Sequence, residues 1–113
     1  MQHQQRLTFT SSADGWMIDG ELDHLNRTEL LVWCEGLAKV QEARTLEFAG
    51  LDILDAEGVV AAVEAIRLLL QRTPALTISH APHLLSHTLY RIGMLEAGGR
   101  LTLVEPRQEE PYG

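Results

Sequence analysis

The sequence predicts an α/β fold in which helices pack on a mixed β-sheet. Three observations support this prediction. A chain of 113 residues can bury one core without disulfides or metals. Its 45% apolar and 22% charged residues are typical of globular proteins. After an initial hairpin, short apolar segments alternate with amphipathic ones. We therefore expect a single domain over residues 1–113, with its core at about 7–104 and flexible tails at 1–6 and 105–113.

The first third of the chain predicts a hairpin and a helix. Residues 7–10 and 16–18 have strand patterns, and a run of turn-forming residues at 11–15 separates them, which indicates an antiparallel hairpin. Gly20 should end the second strand, and Asp23 or Asn26 can cap the following helix at 27–40. One buried stripe is expected on that helix, formed by Leu30, Leu31, Cys34, Leu37 and Ala38.

The remaining sequence alternates between strands and helices. Strands are expected at 45–49, 75–79 and 101–104, with a connection at 50–55. A second helix at 59–71 follows a first turn at 55–58, and a third helix runs from Pro82 to Gly93. The side chains expected to face inward are Val59, Val60, Val63, Ile66, Leu70, Leu84, Leu85, Leu89 and Ile92, with Leu69 at the margin. The predicted order is ββαβαβαβ, a mostly parallel sheet with an antiparallel N-terminal strand.

Charge and hydropathy exclude several classes of protein. Sixteen acidic residues against nine basic ones give a net charge of −7, and the basic residues are scattered. This argues against nucleic acid and anionic membranes as binding partners, because a protein that binds them needs a concentrated basic face. With no signal peptide and no segment that could insert into a membrane, we expect a cytoplasmic protein. The single cysteine, Cys34, lies among apolar residues and is predicted to be a buried structural thiol.

Three histidines could bind a transition metal. His80, His83 and His87 fall within eight residues, and the last two are four apart on the third predicted helix. No zinc-peptidase glutamate accompanies them, and the alternative is that they are exposed polar positions of an amphipathic helix. We favour that alternative and expect no metal, cofactor or catalytic residue. No phosphate-binding loop or nucleophile elbow is present either.

The most informative segment is LEFAGLDILDAEGVVA, at residues 46–61. Here a strand leads through a short connection into the second helix. The carboxylate of Asp55 can cap that helix by accepting hydrogen bonds from backbone N–H groups of the first turn. Glu57 lies in that turn, where the helix dipole favours an acid by roughly 0.3–1 kcal/mol. Taken alone, the segment is a well-formed helix start.

The order and spacing of four short motifs resemble the STAS family, the sulfate transporter and anti-sigma factor antagonist domains. GELD at 20–23 is similar to the family's G-x-L-D, and FAGL at 48–51 stands where LSGV is usual. DAEG at 55–58 replaces DSSG, and residues 79–95 resemble the segment SP-x-V-x-x-L-L…GL. The resemblance covers about 7–104 and implies a STAS-like fold in a small bacterial protein that is not an enzyme.

The resemblance implies a regulator that docks on a serine kinase which also sequesters a sigma factor. The docking face would surround the start of the second helix and comprise Gly20, Asp23, Asp55, Ala56, Glu57, Gly58 and Val59. Glu57 occupies the position of the family's phospho-acceptor serine and cannot be phosphorylated. Its permanent charge either mimics the phosphorylated state or contacts a basic group of the partner.

The same family implies a second class of partner. Some small members are cytoplasmic accessory subunits of lipid-transport ABC systems and bind the ATPase subunit. Metal binding through the three histidines, or binding of a nucleotide or lipid, are further alternatives. Self-association into a homodimer through an exposed sheet edge is also open.

Overall fold

The structure is a computed structural model, which describes residues 7–13, 15–40, 45–96, 99–105 and 107, with backbone only at 38–40. Within these residues the chain forms an α/β fold with six strands and three helices. In chain order these are β1 (Leu7–Ser11), β2 (Gly15–Leu22), α1 (Arg27–Val40), β3 (Thr45–Glu47), β4 (Leu51–Ile53), α2 (Ala56–Leu70), β5 (Leu76–Ser79), α3 (His83–Arg91) and β6 (Leu101–Val104).

The strands form one mixed sheet in the order β1-β2-β3-β5-β6. β1 and β2 are antiparallel and form the predicted hairpin, and the other pairings are parallel. β3 pairs with the first part of β2 and β4 with its last part, Gly20 to Leu22. β3 and β4 therefore share one position in the sheet, as a strand that is interrupted at 48–50.

The predicted connection at 50–55 is wrong, because it contains β4. β2 is also longer than predicted, since Gly20 does not end it. Gly20 has a φ of +121°, a conformation that suits glycine, and its N–H still donates to the Gly50 carbonyl over 2.9 Å. Pairing with β4 continues to Leu22. The order of elements is thus ββαββαβαβ.

The core lies between the sheet and the helices, where α1 packs against α2 and α2 against α3. The largest fully buried side chains come from all three helices and from the strands: Leu7, Ile18, Leu22, Leu46, Leu51, Ile66, Leu69, Leu76, Ile78, Leu85, Leu89 and Cys34. The prediction that Cys34 is buried is confirmed. Burial raises the pKa of its thiol to about 12.

Four of the predicted burial assignments are wrong. Val60, Leu84 and Ile92 are exposed, and Leu69 belongs to the core rather than its margin. α2 carries apolar residues on nearly every side, so the sequence holds few polar residues that would mark the face toward solvent. On α3, the buried pair Leu85 and Leu89 is four residues apart, and Leu84 lies outside that stripe.

The two expected tails fall mostly outside the described residues. One exception is Arg107, whose guanidinium donates to three carbonyl groups, two just after β3 and β5 and one at the start of β4. Nε donates to the His80 carbonyl over 3.0 Å, and Nη2 donates to the Leu51 carbonyl over 2.6 Å and to that of Phe48. Arg107 therefore ties the chain after β6 to the body of the sheet. Among the described helices, none is both long and apolar enough to cross a membrane.

Candidate functional site

The start of α2 has the cap that the sequence predicts. Asp55 is extended, with a φ of −152°, and its Oδ1 accepts the N–H of Gly58 over 2.8 Å. Just before it, the N–H of Leu54 donates to the Leu22 carbonyl over 2.9 Å. The start of α2 is therefore fixed to the end of β2.

The loop between β2 and α1 is ordered by its own side chains. Oδ1 of Asp23 accepts the N–H of Leu25 over 2.9 Å, and Oδ1 of Asn26 accepts the N–H of Asp23 over 2.9 Å. Nδ2 of Asn26 donates to the Glu21 carbonyl over 2.7 Å. Asp23 and Asn26 are both buried, so these bonds are shielded from water and hold the loop in one shape.

His24 joins this loop to the start of α2. Its backbone N–H donates to Oδ2 of Asp55 over 3.1 Å, and its Nδ1 lies 2.7 Å from the same oxygen. An ionised carboxylate only accepts, so Nδ1 carries the hydrogen. Hydrogen bonding to Asp55 raises the pKa of His24, and the bonds from His24 and then Gly58 lower the pKa of Asp55.

A second pair crosses between α1 and α2. Nη1 of Arg27, the first residue of α1, lies 2.9 Å from Oε1 of Glu57 in the first turn of α2. Both side chains are about half exposed, at 51% and 56%. The carboxylate that the sequence singles out is therefore already paired with a cation of its own chain.

Apolar side chains are exposed on the segments that these pairs connect. Leu25, which follows His24, is 74% exposed, Leu54, which precedes Asp55, is 52% exposed, and Val60 on α2 is 53% exposed. Residues 23–27 and 54–60 together are named here the α2 N-terminal surface. It combines exposed apolar side chains with acids that are bonded to bases of the same chain, an arrangement suited to binding another protein.

The predicted site residues divide by exposure. Ala56 and Glu57 are exposed and Asp55 is half-buried, whereas Asp23, Gly58 and Val59 are buried and Gly20 lies within β2. A Cβ on Gly58 would lie only 2.7 Å from the Leu22 carbonyl oxygen, so Gly58 permits close packing of α2 on the sheet. The buried residues shape the surface, and the exposed ones can contact a partner.

Four residues of the α2 N-terminal surface were not predicted to lie on it: His24, Leu25, Arg27 and Val60, the last of which was expected to face inward. His24 and Asp55 are 31 residues apart, and no local pattern links them. The signal in the sequence was a leucine beside a helix start. From the sequence alone, such a leucine cannot be distinguished from a core residue.

The three histidines do not gather into one cluster. Nδ1 of His80 lies 2.9 Å from Oε2 of Glu47, and His80 has a positive φ of 55°. The rings of His83 and His87 stack on α3 with their centroids 6.1 Å apart. In the part of the chain that the structure describes, no three His, Cys, Asp or Glu residues are grouped so that they could hold a metal ion.

No model of a known protein family matches the sequence of this chain, and no curated protein matches it.

Proposed function

We propose that this chain is a regulatory module with a STAS-like fold that binds a protein partner through the α2 N-terminal surface and catalyses no reaction. The partner we propose is a serine kinase that also sequesters a sigma factor, as for anti-sigma factor antagonists. One observation carries the proposal: Leu25, Leu54 and Val60 are exposed around a helix start whose acidic groups are already bonded within the chain.

The positions of the family-like motifs support the choice of partner. GELD at 20–23 ends β2, FAGL at 48–51 leads into β4, and DAEG at 55–58 opens α2. The last residues of β2 pair with β4, so the three motifs lie close together around the carboxyl ends of these two strands. The resemblance implies that the kinase docks at this end of the sheet.

Burial of the exposed apolar side chains would supply binding energy. Covering a leucine or valine that is half exposed contributes roughly 1–2 kcal/mol. Hydrogen bonds to the side chains of Asp23, Asn26 and Asp55 already order the loop that carries Leu25. The loop therefore loses little conformational entropy when a partner binds.

Capture of partners from lysate of the source cells tests the proposal. The baits are the wild type, Leu25→Arg, Leu54→Arg and the control Tyr90→Arg. Tyr90 lies on α3 and is 74% exposed, as Leu25 is, so the control adds the same charge at a matched position elsewhere. We expect the wild type and the control to recover a serine kinase that binds a sigma factor, and the two leucine variants to lose it.

Three results would reject the proposal. Recovery of a transport ATPase in place of the kinase would assign the chain to the ABC accessory class. Loss of the kinase only in Tyr90→Arg would place docking on α3. Capture of no protein by any bait would reject a stable protein-binding role.

A further inference from the structure

We infer that Arg27 masks the charge of Glu57, so that the α2 N-terminal surface meets its partner as an apolar, charge-compensated face rather than an acidic one. This inference rests on the proposed function and adds the chemistry of the contact. It predicts that the complementary face of the partner is apolar at its centre and supplies no base to Glu57.

Within this surface, the N-cap acid and the first-turn acid of α2 are both paired with groups of the same chain. Glu57 is paired with Arg27 across α1 and α2 over 2.9 Å, and Asp55 is bonded to His24 and to the N–H of Gly58. Each acid also lies at the helix end where the dipole is positive. The groups that face Glu57 and Asp55 from the neighbouring helix and loop are thus the guanidinium of Arg27 and the imidazole of His24.

Docking makes this compensation more important than it is in the isolated chain. In water, an ion pair whose partners are about half exposed contributes little to stability. When a partner covers Leu25, Leu54 and Val60, water is removed from the neighbouring pair as well. A carboxylate that loses water without a cation beside it is strongly unfavourable, whereas a paired one is tolerated.

Arg27 is therefore a specificity-determining residue. With it, the fixed charge of Glu57 does not oppose binding to an apolar face. Without it, the same glutamate places an uncompensated charge at the contact. The Arg27–Glu57 pair therefore favours a surface that can dock on the partner. It argues against a surface on which Glu57 imitates a phosphorylated serine and keeps the partner released.

The test measures affinity for the kinase recovered by the capture experiment, using Arg27→Gln, Glu57→Gln and the double variant R27Q/E57Q. Arg91→Gln on α3 is the control, because it removes the same charge from an exposed position outside this surface. We expect Arg27→Gln to weaken binding at least about tenfold, because it leaves an unpaired carboxylate in the contact. The double variant and the control leave no unpaired charge in the contact and should bind within about threefold of wild type. Glu57→Gln leaves Arg27 unpaired, but the long arginine side chain can extend to water, so binding should weaken less than in Arg27→Gln.

Thermal unfolding of the same variants separates masking from a structural role. Since the pair is exposed in the free chain, Arg27→Gln should change Tm by less than about 5 °C. A larger change would make Arg27 a structural residue and overturn the inference.

Three binding results would also overturn the inference while the proposed function stands. Weaker binding by Glu57→Gln than by Arg27→Gln would show that the partner supplies a base to Glu57. Weak binding by the double variant would show that the partner contacts Arg27 itself. Unchanged binding by Arg27→Gln, together with loss in Leu25→Arg, would show that the pair lies outside the contact. If no kinase is captured, the proposed function fails and the inference fails with it.

Discussion

His24 and Asp55 are 31 residues apart in the chain, yet one carboxylate oxygen of Asp55 accepts the backbone N–H of His24 and lies 2.7 Å from its ring Nδ1. The other oxygen of Asp55 caps α2 through Gly58. A single side chain thus fixes both the start of a helix and the neighbouring loop that carries Leu25. Stability of the helix start and the shape of the α2 N-terminal surface are therefore coupled.

Substitution of Asp55 tests how much the N-cap of α2 contributes to stability. Asp55→Ala should lower the free energy of unfolding by about 1 kcal/mol through loss of the cap. Asp55→Asn is the matched control, because asparagine caps helices about as well as aspartate does. Urea denaturation of the three proteins measures the difference. An Asp55→Ala variant as stable as the wild type would show that the cap contributes nothing.

The His24–Asp55 pair makes stability depend on pH in a defined direction. The pKa of His24 is raised above its ordinary 6.5, so its contribution is complete below that pH and is lost as pH rises through the raised value. The pKa of Asp55 is lowered below its ordinary 3.8, so its contribution is complete above that pH and is lost as pH falls through the lowered value.

We therefore expect the difference in unfolding free energy between the wild type and His24→Ala to be largest between pH 3.8 and 6.5. Denaturation curves across pH 2–9 measure it, with His87→Ala on α3 as the control. A difference that is flat across this range would show that the two groups do not interact in solution.

Sequence patterns predicted the larger elements because each has its own local signal. The bounds of α1 at Arg27 and Val40 match the prediction, since apolar residues recur at helical spacing along a helix with a polar face. The cap at Asp55 was also predictable, because capping depends on residues only three apart.

β4 and the contacts of the site depend on pairing between distant segments. β4 has three residues, too few to show an alternating pattern, and it forms because the end of β2 offers it a partner. His24 likewise gains its role only when folding brings it to Asp55. Pairing of this kind leaves no local pattern that can be found in the sequence.

The thiol of Cys34 should be unreactive in the folded protein. Burial raises its pKa from an ordinary 9.0 to about 12, which lowers the thiolate fraction about a thousandfold near neutral pH. Labelling with a thiol-specific disulfide reagent at pH 8 should therefore be slow in buffer and fast in denaturing urea. Rapid labelling without denaturant would show that α1 opens readily or that the thiol is accessible.

Two glycine-to-alanine substitutions in helices should have opposite effects on stability. In an exposed helix interior, alanine is favoured over glycine by roughly 1 kcal/mol. A Cβ at Gly36 on α1 would point into open space, so Gly36→Ala should gain most of that stability. Gly58 on α2 differs, since a Cβ there would lie 2.7 Å from the Leu22 carbonyl oxygen and 3.0 Å from Cγ2 of Ile53.

The backbone of β2 cannot move aside without disturbing its pairing with β4, so the clash at Gly58 should outweigh the gain in helix propensity. We expect Gly58→Ala to lower the free energy of unfolding by about 1–3 kcal/mol in urea denaturation. Because α2 would be displaced from the end of β2, the variant should also bind the proposed kinase partner more weakly, whereas Gly36→Ala should bind it as the wild type does. A stabilised Gly58→Ala variant would show that α2 and β2 are not packed as closely as described, and the link between Gly58 and the α2 N-terminal surface would be lost.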